Sequence, residues 1–309
     1  MRRITALLLA LVMLIGGFAG GYFLGETKSE KYSPYEVVFK SLDTMSSSEK
    51  LDYYQGILTA ETTPTQVRYV MEKILNDNID NDVKNNMIAF YLNHIQYYMS
   101  TYTNFITLYS SIMKNNSDTI NYEEASAANK INDQVLKTVV QEIYNSDMKI
   151  IMPPSGSTDS PYVIVDYDSL ASRYGKIFND ATKEYIKFKE VVQSGELYDA
   201  LGRYDMEKTA EYIVQANDFI VKYDNYPLVS DVIYSYILAS KMYIGTYNMS
   251  SEFTPDEATI ASYTNFVENY KDTPVTAILK EIIALHAEGK PITMEYANKW
   301  NEELDALIG

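Results

Sequence analysis

Apolar residues recur along nearly the whole chain at the 3.6-residue period of an amphipathic α-helix. The clearest run is Ile88, Leu92, Ile95, Met99, Tyr102, Ile106, Tyr109 and Met113, separated alternately by four and three residues, which is an uninterrupted a/d seam. Its simplest partner is the next segment, whose stripe of Ala128, Ile131, Val135, Val139 and Ile143 returns antiparallel after the short loop 115–121. A coiled coil with a second chain is the other reading. The same period predicts helices at about 34–45, 48–59, 64–77, 82–114, 122–146, 168–194, 206–223, 227–244, 255–271, 274–287 and 294–307, with a helical turn near 196–203.

Helix-start grammar supports these assignments. Ser33-Pro34-Tyr35-Glu36, Thr63-Pro64-Thr65-Gln66 and Thr254-Pro255-Asp256-Glu257 each place a hydroxyl at N-cap, Pro at N1 and Glu or Gln at N3. Thr273-Pro274 repeats the cap, and Asn121, Asp168, Asp205 and Thr293 are further cap candidates. Gly195, Gly245 and Gly289 stand where helices need a left-handed C-cap. One stretch departs from helix: Lys149–Met152 and Tyr162–Val165 are short β-favouring runs around a Pro- and Ser-rich segment. They predict either a small hairpin near 149–165 or a linker between helical halves.

Two arginines, Arg2 and Arg3, precede an uncharged run from Ile4 to Leu24. Such a run is about the ~20 residues needed to cross a bilayer. The arginines predict a cytoplasmic N-terminus and an extracytoplasmic remainder. A cleavable signal ending near Gly17-Phe18-Ala19 is the alternative, which yields a secreted chain. Gly17, Gly21 and Gly25 lie four apart, a bare helix face suited to packing against a copy of itself. The expected organisation is therefore an anchor or signal at 1–25, a helical region at 26–148, a hairpin or linker at 149–167 and a second helical region at 168–309.

Charge and composition exclude several classes of function. Beyond residue 25 the chain carries 24 Lys and Arg against 42 Asp and Glu, a surface that repels phosphate, so nucleic acid is not an expected partner. Cys is 0, which removes disulfides, thiol catalysis and Cys-ligated metals. His94 and His286 are the only histidines and read as ordinary helix residues. No phosphate-binding Gly loop, G-x-S-x-G turn or H-E-x-x-H helix occurs. The acidic run 77–82 lacks the Gly and Glu of a calcium loop and reads as a solvated turn. Glu123-Glu124 and Asp166 with Asp168 are carboxylate pairs that the dipole of a helix start explains equally well. Trp300 is the single indole that could face a sugar. No catalytic, cofactor-binding or metal-binding residue is assigned, and no cofactor is expected; a carboxylate-dependent hydrolase is the least favoured reading. Asn115-Asn116-Ser117 and Asn248-Met249-Ser250 match the glycosylation acceptor pattern.

In the second half, Phe219, Tyr223 and Pro227 recur 47 residues later as Phe266, Tyr270 and Pro274. The unit is a helix ending in two aromatics four apart, a short turn, and Pro opening the next helix. Tyr102 to Tyr109 echoes the pattern without the proline. Residues 206–307 thereby resemble tetratricopeptide-like helical-repeat proteins, although the period is longer and the Trp and Leu-Gly landmarks are missing. The resemblance implies an all-α fold of stacked antiparallel helix pairs, an α-solenoid, and a habit of binding peptides or proteins.

Tyr 29 is far above ordinary usage. Tyrosine suits half-buried helix positions and contact surfaces alike. Tyr97 with Tyr98, and Tyr234 with Tyr236, cannot all face one core and are the candidate partner contacts. The sequence reads as a single-pass, membrane-anchored extracytoplasmic scaffold that docks a protein partner. A secreted or surface receptor for a peptide, glycan or cationic ligand is the alternative. The membrane contact is the 4–24 segment, and a second copy, met through the glycine face or the 88–113 seam, is a further candidate partner.

Overall fold

The computed structural model describes residues 41–154, 157–195, 197, 204–270 and 273–308. The chain is mostly helical and divides between Ile177 and Phe178 into two compact units. Among the described residues no helix is long and apolar enough to cross a membrane. The 4–24 segment, Gly17, Gly21, Gly25 and the Ser33 cap lie outside the described residues.

The first unit contains α1 (Ser47–Gly56), α2 (Pro64–Leu75), α3 (Asn81–Leu108), α4 (Ser110–Asn115), a 3-10 turn (Ala125–Lys130), α5 (Gln134–Asn145), β1 (Met148–Ile151), β2 (Tyr162–Val165) and α6 (Tyr167–Tyr174). Thr63 and Gln66 form the expected capping box on α2, Thr63 N–H reaching Gln66 Oε1 at 2.9 Å. Helix α3, about 42 Å long at 1.5 Å per residue, is the axis on which α1, α2 and β2 pack.

The heptad seam is filled from within this unit: Ile88, Leu92, Ile95, Ile106 and Met113 are fully buried. A second copy therefore finds no open seam at 88–113, and the cover comes mainly from α1, α2 and β2 rather than from one antiparallel helix. The expected 122–146 helix is also shorter. Asp133 caps α5, its Oδ1 accepting from Val135 N–H at 3.0 Å and Leu136 N–H at 2.9 Å. A carboxylate that bonds local backbone donors starts helices better than it continues them, and Val135 accordingly turns outward, 39% exposed. The 82–114 helix likewise breaks at Tyr109, and 168–194 resolves into α6 and a separate helix from Asp180.

The strand runs form a hairpin, with Met148 opposite Val165 and Ile151 opposite Tyr162. Met148, Ile150, Val163 and Val165 are buried, and Val163 N–H donates to Thr103 Oγ1 of α3 at 2.9 Å. A two-stranded ribbon needs such support to persist. The 149–167 segment is thus an integral part of the first unit rather than a linker, and α6 belongs to the first unit as well.

The second unit contains α7 (Asp180–Ser194), α8 (Met206–Lys222), α9 (Val229–Tyr243), α10 (Glu257–Asn269), α11 (Pro274–Ala287), α12 (Met294–Asp305) and a closing 3-10 turn (Ala306–Ile308). The most extensive helix pairings are α8 with α9 and α10 with α11; α12 packs on α9 and α11. The repeated aromatics take the same local geometry in both copies. Tyr223 N–H closes on Phe219 C=O at 2.9 Å and Tyr270 N–H on Phe266 C=O at 2.8 Å, with ring centroids 5.0 and 5.2 Å apart. Pro274 opens α11 at N1 as expected, whereas Pro227 stands two residues ahead of α9, in a turn that buries Tyr226 and Leu228. Asp256, not Thr254, caps α10, its Oδ1 accepting from Thr259 N–H at 2.8 Å. Phe253, just ahead of this cap, is held in an isolated antiparallel bridge with Ile292.

Candidate functional site

Helix α9 presents Tyr234, Ile237, Leu238 and Lys241 at i, i+3, i+4 and i+7, which places them on one face. The helix then ends at Gly245, whose φ is +78. Gly245 N–H bonds Met242 C=O at 3.1 Å and Thr246 N–H bonds Lys241 C=O at 2.9 Å, the paired closure of a Gly-ended helix. Glycine is required twice over, because a Cβ there would also lie 2.7 Å from the Phe253 ring. The turn carries Thr246, Tyr247 and Asn248 back over the α9 face, and Asn248 adopts φ +56.

Helix α12 supplies the opposite wall through Asn301 and Asp305, one turn apart. Together these residues line an open cleft of about 300 Å³. Thr246 Oγ1 donates to Asn301 Oδ1 at 2.7 Å, which turns the Asn301 amide nitrogen away from the bond. Lys241 Nζ meets both Asp305 oxygens, at 2.7 and 2.8 Å. The lysine side chain is 17% exposed and the aspartate 53%, so the cation lies beneath the carboxylate and the carboxylate looks outward. Tyr234 and Tyr247 stand exposed at the rim, while Ile237 is buried at the floor.

The sequence candidates divide in two. Tyr97 and Tyr234 are exposed at 60% and 61%, whereas Tyr98 and Tyr236 are core residues at 3% and 1%. Tyr98 Oη donates to Ala60 C=O at 2.7 Å, and burial pushes its phenol up to about 12. Tyr236 Oη accepts from Val275 N–H at 3.4 Å. Among the described residues 13 tyrosines are buried and five exposed, so the tyrosine excess chiefly builds core. Of the four candidates only Tyr234 lies at the cleft; Tyr247, Asn301 and Asp305 were not singled out from sequence. From sequence only Tyr234 was picked out on this α9 face, and the approach of α12 to it is a tertiary event.

Glu123, Glu124 and Asp166 of the carboxylate pairs are engaged structurally, and Asp168 is exposed. Glu123 Oε1 accepts from Met152 N–H at 2.9 Å, Glu124 from Asn121 and Ser126, and Asp166 caps α6. Asp77 pairs with Lys50 at 2.7 Å. Among the described residues no group of three or more His, Cys, Asp and Glu is arranged to hold a metal ion. Trp300 is buried, its Nε1–H donating to Glu281 at 2.8 Å, so its ring is no platform for a sugar.

A second polar constellation lies inside the first unit. Asp147, 1% exposed and at φ +52, accepts from Tyr91 Oη at 3.1 Å, Ser169 Oγ at 2.8 Å and Arg173 Nε at 2.9 Å. Burial raises its carboxyl above the ordinary value, with Ser169 and Arg173 opposing. Nearby, Tyr174 Oη donates to Glu72 at 2.8 Å, and Arg68 lies 3.6 Å from the same oxygen. Every carboxylate oxygen of Asp147 is engaged within the chain, which marks the cluster as a fastener of α3, α6 and the β1 approach.

No protein-family model, curated protein or solved structure matches the chain.

Proposed function

We propose that this protein is a membrane-tethered extracytoplasmic scaffold whose second unit, a stack of helix pairs of the solenoid kind, docks a protein partner on the α9–α12 cleft. The carrying observation is that Tyr234 and Tyr247, 61% and 46% exposed, line one cleft in a unit that otherwise buries most of its aromatic rings. Exposed aromatics around a partly apolar floor are what a contact surface requires. The 21-residue uncharged run after Arg2 and Arg3 supports the tether, and the 47-residue aromatic repeat supports the solenoid reading.

Site-specific photo-crosslinking in the native cell tests the docking. A photoreactive residue at 234 or 247 is expected to yield a discrete protein adduct, and one at Val221, exposed at 75% on α8, none. Equal labelling at all three positions, or no adduct at 234 and 247, overturns the docking function. A receptor for a glycan or cationic ligand is the alternative; it predicts a rise in melting temperature with a glycan or small-cation panel. Mass measurement of the mature chain tests the tether: the residues up to about Ala19 are retained in an anchored protein and lost from a secreted one.

A further inference from the structure

We infer that the occupant of the α9–α12 cleft is an extended segment of the partner bearing a lysine or arginine, whose cation meets Asp305 between the rings of Tyr234 and Tyr247. The inference rests on the docking function and names its chemistry. Three observations converge on a cation. The second unit, residues 178–309, carries 11 Lys and Arg against 22 Asp and Glu, so its surroundings attract positive charge. Asp305 closes α12, a helix with no basic residue in its last turn, and Glu302 and Glu303 precede it. The carbonyl end of that helix adds its own negative potential at the same place. Finally, Lys241 bonds both Asp305 oxygens, and with the aspartate side chain 53% exposed each oxygen keeps a further lone pair for a second cation.

The neutral groups fit a peptide stem. The Asn301 amide nitrogen, freed by the bond that Thr246 makes to Oδ1, offers a donor for a backbone carbonyl. The two tyrosine faces can cover the methylenes of a lysine or the plane of a guanidinium.

An array of randomised decapeptides probed with the full-length chain tests this. Bound peptides are expected to be enriched in Lys and Arg. For the tightest of them, Tyr234→Ala and Asp305→Asn should each weaken binding about tenfold, Tyr234→Phe should retain most of it, and Glu211→Gln and Asp218→Asn, exposed acids on α8, should leave it unchanged. Tyr234 is 61% exposed, so its truncation leaves the fold intact, which unaltered Trp300 fluorescence confirms. A preference for neutral or acidic peptides overturns the inference. So does an equal loss in Glu211→Gln and Asp305→Asn, which would mean general attraction to an acidic surface. A protein adduct from position 234 with no Lys or Arg selection removes the cation and leaves docking; Lys or Arg selection with no protein adduct leaves the cation and removes docking.

Discussion

At the centre of the first unit Asp147 gathers a phenol, a hydroxyl and a guanidinium from Tyr91, Ser169 and Arg173. At comparable depth the second unit holds rings. Phe219 lies among Tyr185, Tyr223 and Tyr226, and Phe266 among Tyr243 and Tyr270, at centroid distances of 5.0–6.4 Å. Directional bonds to a buried charge admit one arrangement and penalise any partner left unpaired. Ring packing is more tolerant of rearrangement. The proposed docking cleft lies in the second unit, where α9 and α12 meet.

The largest test of this contrast is Asp147→Ala. It orphans three donors and places Ala at φ +52, so the first unit should lose about 3–5 kcal/mol. Hydrogen exchange should show α3, α5 and α6 opening while α8–α12 keep their protection; uniform loss would mean that the network is not confined to one unit. Trp300→Phe is the gentler counterpart in the second unit. It removes the bond to Glu281 and part of a fully buried ring, at about 1–3 kcal/mol by urea unfolding followed through circular dichroism.

Gly245→Ala comes next, at about 1–3 kcal/mol, because it combines positive φ with the Phe253 contact. It should also displace Tyr247 and weaken peptide binding, whereas Gly195→Ala, with nothing near its Cβ, should affect stability alone. Tyr234→Ala should change stability by less than about 0.5 kcal/mol, against several for the neighbouring Tyr236→Ala; equal costs would place both rings in the core.

The smallest effect concerns His94 in the first unit. It is 7% exposed, with Nε2 2.8 Å from Thr62 C=O, and burial lowers its pKa. The unfolded chain therefore binds the proton more readily than the folded one. Stability from this group is complete above the ordinary histidine value near 6.5 and declines as the pH falls through it. His94→Gln should flatten the melting temperature of the first unit between pH 7.5 and 5.5, and an unchanged slope would assign the acid sensitivity elsewhere.

Helices were legible where a hydroxyl cap with Pro at N1 met no competing cap nearby. Thr63-Pro64-Thr65-Gln66 and Thr273-Pro274 start α2 and α11 where expected, and the three left-handed glycines sit at the ends of α7, α9 and α11. Legibility failed where two local preferences competed. Asp133 can ride on a helix or cap one and in the fold caps α5, and at α10 Asp256 rather than Thr254 accepts from the first turn. The exposed tyrosines were half legible: adjacent or alternate rings cannot share a core, but which of each pair faces outward is set by what packs against the helix.

Periodicity, caps and glycines act within a few residues, so the sequence by itself determined that this chain is mostly helical with a break near 149–165, and roughly where most helices begin. The tertiary structure alone decided that the heptad seam is spent inside the first unit, that Asp147 becomes its buried fastener, and that α12 closes on the Tyr234 face to leave Asp305 outward. Those outcomes depend on surfaces far apart in the chain, whose burial and charge are set only when the helices meet.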